Sequence, residues 1–197
     1  MKTLYLECAM GAAGDMLLAA LYELLGDKET FLRTMNSLLP QVELTPQIRT
    51  SCGISGIHMR VAVHGQEEHE HEHHHEHRHT SPGHIAGLID GFPLPEAVKA
   101  HARGVYDTIA QAESQVHGVP VEEIHFHEVG ALDAIADVTG VCYALHLLQP
   151  DQIQASPVHV GSGTVRCAHG IMPVPAPATA ALLAGIPIYG GSVQGEL

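Results

Sequence analysis

Residues 66–80 read QEEHEHEHHHEHRHT and hold no apolar side chain. Such a stretch has nothing to bury against the entropy cost of ordering it. It is expected to be a disordered or mobile loop. Whatever folds must therefore be assembled from the residues on either side of it. Hydrophobic residues make up 45% of the chain, but aromatics only 4%, and Trp is absent. The core must come from Ala, Leu, Val and Ile, which suits a layered α/β packing better than an aromatic-rich sandwich.

Local patterns then place the elements. Thr3 to Cys8 reads as a short strand, and the turn Met10-Gly11-Ala12-Ala13-Gly14 leads into a helix over Asp15–Leu25 that Gly26 can stop. A second helix runs from about Glu29 to Leu39 and ends at Pro40. Ile57, Met59, Val61 and Val63 alternate with His58, Arg60 and Ala62, the period of a half-buried strand. Beyond the His/Glu run, Ser81-Pro82 offers an N-cap and first helical position. The clearest helix covers about Glu96–His117, with Val98, Ala102, Val105, Ile109, Ala112 and Val116 as the expected buried stripe. Another covers about Ala134–Leu148, with Ile135, Val138, Cys142 and Leu145 inward. Ile153 to Tyr189 is dense in Gly and Pro, with extended pieces and a short helix near Thr179–Ala184. No internal repeat is visible. Strands interleaved with helices predict a single α/β domain over 1–197, a mixed sheet flanked by helices, carrying a flexible insert at 66–80.

A net charge of −13 gives the chain no electrostatic reason to bind nucleic acid or an anionic membrane. The N-terminus has no basic region before an apolar one, and no apolar run reaches the ~18 residues a membrane span needs. The four cysteines form no C-x-x-C pair, which argues against a zinc ribbon or a redox dithiol. A cytoplasm with reduced thiols is the expected location.

Four segments carry chemistry. His69, His71, His73, His74, His75, His77 and His79 lie among Glu67, Glu68, Glu70, Glu72 and Glu76, so imidazoles can converge on an ion that the carboxylates attract. Imidazole suits nickel, zinc and copper, and the Irving–Williams order favours nickel and copper over lighter ions. Looseness of this kind suits storage or delivery rather than catalysis. In the opening turn, Gly11, Ala12, Ala13 and Gly14 precede a helix N-terminus and can cradle a phosphate. Asp15 then holds a cation or substrate, or merely caps the helix. In the centre, His125 and His127 flank Phe126; if extended they project to one side and can share a metal. Glu128 follows, and Asp133 and Asp137 share one helix face. Late in the chain, Gly161 and Gly163 allow close backbone approach, and Cys167 and His169 can present thiolate and imidazole to one ion. Cys167 can equally be a plain buried thiol.

The pieces GAAGDM, HFHEVGALDAIAD and GSGTVRCAHGIMPVPAPAT together resemble the nickel-insertion proteins of the lactate racemase system, from near the start to about residue 185. A variable His-rich insert occurs in that family too. The resemblance implies a nickel chelatase that inserts nickel into a pyridinium bisthiocarboxylate mononucleotide, giving the nickel-pincer nucleotide cofactor. It also implies use of CTP with magnesium or manganese. Family proteins continue past the point where this chain stops, so the resemblance assigns the CTP-dependent part to a C-terminal half outside it, and that half becomes an expected partner. By residue type, Asp15, His127 and Glu128 are the candidate catalytic groups, with Glu128 or Asp15 as proton acceptor. Gly11 to Gly14, Gly161 and Gly163 are the candidate nucleotide-binding positions. His125, His127, Cys167 and His169 are the candidate ordered nickel donors. Two other readings stay open: a non-enzymatic nickel store or delivery protein, and a metal-dependent hydrolase using His125, His127, Asp133 and Asp137. The oligomeric state is left open, a homo-oligomer included.

Overall fold

In the computed structural model, residues 1–67, 80–126, 129–167 and 170–197 are described. In chain order the elements are β1 (Thr3–Leu6), α1 (Gly14–Leu24), α2 (Lys28–Leu38), β2 (Val42–Ser51), β3 (Ile54–Val63), β4 (Gln66–Glu67), α3 (Pro82–Asp90), α4 (Glu96–His117) and α5 (Leu132–Leu148). There follow β5 (Gln152–Ala155), β6 (Val158–His159), β7 (Gly161–Ser162), β8 (Thr164–Cys167), β9 (Gly170–Pro173), α6 (Pro177–Leu182), β10 (Ile188–Tyr189) and β11 (Gly195–Glu196). The α/β class is as expected. The strands form several small sheets, parallel in β1·β5 and β6·β10 and antiparallel in the others.

The chain clusters into two compact units, one of residues 14–105 and 125–148, the other of 1–13, 106–124 and 149–197. The first unit packs α1, α2 and α5 on the β2–β3 hairpin. Leu18, Phe31, Met59, Ile85, Ile89, Val98 and Ile135 are fully buried there. Phe31 stacks on Tyr143 with ring centres 5.5 Å apart and lies 6.0 Å from Tyr22. Asp27 caps α2 by accepting from the Thr30 N–H at 3.0 Å. The Asn36 amide copies a strand: its Nδ2 donates to Leu44 O at 3.1 Å and its Oδ1 accepts from Leu44 N at 2.7 Å. That pair satisfies the start of β2 and fixes α2 beside it. Ser81 caps α3 with Pro82 in the first turn, as the dipeptide predicts.

Two expectations are corrected, and one pairing is added. The His/Glu run is not structureless from its first residue: Gln66 and Glu67 pair with Val63 and Ala62, and Thr80 bridges Phe126. The stretch expected to be disordered otherwise lies, from 68 to 79, outside the described residues. The buried face of α4 runs through Val98, Ala102, Tyr106, Ala110 and Ala112, so Val98, Ala102 and Ala112 are as expected, while Val105 and Val116 are both 38% exposed. Steps of four with small residues set that face, and Tyr106 takes the place given to Val105. Finally, β3 has a ten-residue antiparallel partner, β2, that its own alternation did not reveal.

The second unit is built differently. β1 and β10 lie beside one extended run, 152–160, made of β5 and β6. Ser156 N donates to Leu6 O at 2.9 Å and His159 N to Cys8 O at 3.1 Å, while Val158 N and Val160 N donate to Pro187 O and Tyr189 O on β10. β1, the 152–160 run and β10 therefore form a three-stranded parallel ribbon. Between 149 and 197 the buried residues among those described are His159, Val160 and Gly161.

Candidate functional site

Two helix starts meet in the first unit. α1 begins at Gly14, and a Cβ built there would stand 3.0 Å from both Cβ and Oδ2 of Asp137 on α5. Only a residue without a side chain lets the two backbones approach so closely. One α-helical turn further along α5, Gly140 does the same for the Leu18 side chain, 2.9 Å from its would-be Cβ. The crossing brings Asp15 in the first turn of α1 near Asp137, with Asp133 four residues before it on the same face. Asp15 is inside the helix rather than capping it, and its Oδ1 accepts from Met16 N at 2.8 Å.

These carboxylates crowd one another. Oδ1 of Asp133 and Oδ1 of Asp137 are buried, with no hydrogen-bond partner among the described residues. Burial, then the charge of Asp15, then that of Asp133, push the Asp137 carboxyl up to about 7. Near neutral pH it both takes and releases a proton, the property a general base needs. Among the described residues no three His, Cys, Asp or Glu side chains form a metal-holding set.

Of the central motif, Phe126 is extended and buried, exchanging backbone hydrogen bonds with Thr80 at 2.9 and 3.4 Å. His125 is accordingly turned outward and exposed. Gly130 is required where it stands: its Cβ would meet Phe126 Cβ at 2.9 Å and Thr80 Cβ at 3.0 Å. His127 and Glu128 lie outside the described residues, as do His169 and His69 to His79.

In the second unit, Gly11 has φ +87° and is buried, and a Cβ there would collide with the Leu197 backbone. Ala12 and Ala13 are exposed, while Gly14 belongs to the first unit. Gly161 and Gly163, both at φ +81°, face Gly195 O and Gln194 Oε1, so their lack of a side chain serves packing of the chain on itself. Cys167 is a free, half-buried thiol at the end of β8. Sequence reasoning missed His159. It is 6% exposed, stacks on Tyr189 at 4.7 Å, and has Nδ1 3.0 Å from Ala9 O. Together with its N–H to Cys8 O, the ring pins the residues that lead into the Gly11 turn. The one available signal was a histidine at an inward position between Val158 and Val160.

Comparison with known proteins adds the following. The family model described as nickel insertion protein matches residues 4–197. The pyridinium-3,5-bisthiocarboxylic acid mononucleotide nickel insertion protein of Staphylococcus epidermidis is 43% identical over 197 residues, covering all of this chain and 47% of that protein. The protein of the same name from Clostridium kluyveri is 44% identical over 202 residues, covering all of this chain and 50% of its own length. That of Lactiplantibacillus plantarum is 44% identical over 201 residues, covering 95% of this chain and 48% of its own. The chain spans about half the length of these relatives. No solved structure matches it.

Proposed function

This chain belongs to the nickel insertion protein family, and from that premise we propose that it is the nickel-handling half of a chelatase. The full reaction inserts nickel into a pyridinium-3,5-bisthiocarboxylic acid mononucleotide, giving the nickel-pincer nucleotide used by lactate racemase. The observation that carries this reading is the match over residues 4–197, joined to relatives 43–44% identical that are named for that insertion. CTP, with magnesium or manganese, belongs in this reading to the half of the protein outside the chain, which is its partner. The chain by itself binds nickel and does not complete insertion. No helix among the described residues is long and apolar enough to cross a membrane, and all four cysteines are free, which suits the cytoplasmic location we propose.

Nickel is cargo here. The imidazoles of His69 to His79 collect it, and His125 with His127, or Cys167 with His169, hold it before transfer. The nucleotide phosphate is assigned to the Gly11 to Gly14 turn at the start of α1, where helix N–H groups favour an anion. Two nickel–sulfur bonds form by ligand exchange. The nickel–carbon bond takes the electron pair of a ring C–H bond, and the released proton needs an acceptor. We assign it to the Asp137 carboxylate, with Asp15 beside it. Glu128, the other acceptor named from sequence, stays an alternative.

The test supplements this chain with the half of the Staphylococcus epidermidis relative that it does not match, and follows the nickel-bound product by mass spectrometry. With Asp137→Asn, nickel binding is expected to persist while product formation falls about 100-fold or more, the usual weight of a general base. An unchanged rate removes Asp137 from the mechanism. Absence of nickel-bound product with the unsubstituted chain overturns the insertion reading.

A further inference from the structure

The parallel ribbon of β1, 152–160 and β10 lacks what parallel strands normally have. Parallel strands are usually buried on both faces, because the connections that join them cover the sheet. Here all four residues of β5 are exposed, and its register places neighbours on alternate faces. Tyr5 is 57% exposed and Ile153 49%; Ile188 and Tyr189 are 42% and 43% exposed. No further described strand pairs with the outer edge of β1 or of β10. β10 begins beside Val158, so the edge of β5 from Gln152 to Ala155 is open on that side as well. Short ladders of this kind are not stable unless another layer packs on them.

The chain's own composition limits what can cover the ribbon. A second copy would bring another −13 charge against the first, which disfavours self-association. The relatives supply a different occupant, because roughly half of each lies beyond what this chain matches. We propose that the ribbon is the docking face for that other half. It lays apolar side chains over Tyr5 and Ile188, which the register places on one face, and its backbone continues the open edge of β5. Strand addition of this sort gives affinity through main-chain hydrogen bonds and specificity through alternate side chains. The inference rests on the proposed function only in naming the relatives' remaining half as the partner.

Hydrogen–deuterium exchange tests it without nickel or nucleotide, so its failure and that of the insertion reading are separable. The full-length Staphylococcus epidermidis protein is compared with this chain, peptide by matching peptide. Segments matching β1, β5 and β10 are expected to exchange at least tenfold more slowly in the full-length protein, while those matching β2, β3 and α5 exchange alike in both. Equal exchange of the ribbon in the two proteins overturns the proposal, as does protection confined to other segments. Ribbon protection that grows with the concentration of this chain alone identifies a second copy as the occupant and also overturns it.

Discussion

Asp137 is a carboxyl kept at a neutral-pH balance by burial and by its acidic neighbours, and its effect on stability has a definite sign. Its folded-state value of about 7 lies above the ordinary 3.8. The neutral form is the one the fold accepts, so the stability tied to it is complete below about pH 4 and is lost as pH rises through 7. Asp137→Asn should therefore stabilise the chain by roughly 2 kcal/mol at pH 8, after discounting for the part of the side chain that water reaches, and by almost nothing at pH 3. Urea unfolding at both pH values measures the difference; equal effects at the two would mean that Asp137 is ionised freely. The pairing of Asp133 with Asp137 was legible, because a spacing of four fixes a shared helix face. The approach of Asp15 was not, because it depends on a tertiary crossing permitted by Gly14. His159 stayed hidden for a similar reason: its partners Cys8 and Ala9 come from the far end of the chain.

At the level of elements, the crossing of α1 and α5 depends on two glycines. Gly14→Ala would gain helix propensity of up to ~1 kcal/mol but set a methyl against the Asp137 side chain. Gly140→Ala presses on Leu18, which is fully buried. Overpacking of this kind costs about 1–3 kcal/mol, so both variants should be less stable in thermal melts, and Gly14→Ala should also change the pH dependence due to Asp137. Phe31→Ala, which empties the stack with Tyr143, should cost about 3–5 kcal/mol by the same measurement. Helices were the most readable elements, since apolar spacing and caps such as Ser81-Pro82 act locally. The exact buried side of α4 was less so, because what packs on a helix chooses between adjacent stripes. β2 escaped notice because Pro46 and its polar residues break the alternation, and its pairing with β3 supplies the order that its own pattern lacks.

For the whole molecule, the imidazole-rich segment and the folded units should be separable. Deleting residues 67–79 should lower the number of nickel ions bound in calorimetric titration while leaving the far-ultraviolet circular dichroism unchanged. Product formation in the supplemented assay should then fall when nickel is scarce and recover when it is abundant; loss at all nickel levels would favour the storage reading. The α/β class was legible in the interleaving of strands and helices. The division of the strands into small ladders was not, because short extended pieces carry no sequence mark of which neighbour they join. One such ladder extends well beyond what it needs. The β2–β3 hairpin is anchored at its base by Val42, Leu44, Met59 and Ala62, whereas Ile48 and Ile54 near its tip are 79% and 76% exposed. Cys52 and Gly53 make the tight reversal with positive φ at both positions. The energy that holds the hairpin is concentrated at one end, leaving the other as a lever arm. An epitope or fluorophore grafted at Cys52 would ride on that arm, with the crossing of α1 and α5 left undisturbed.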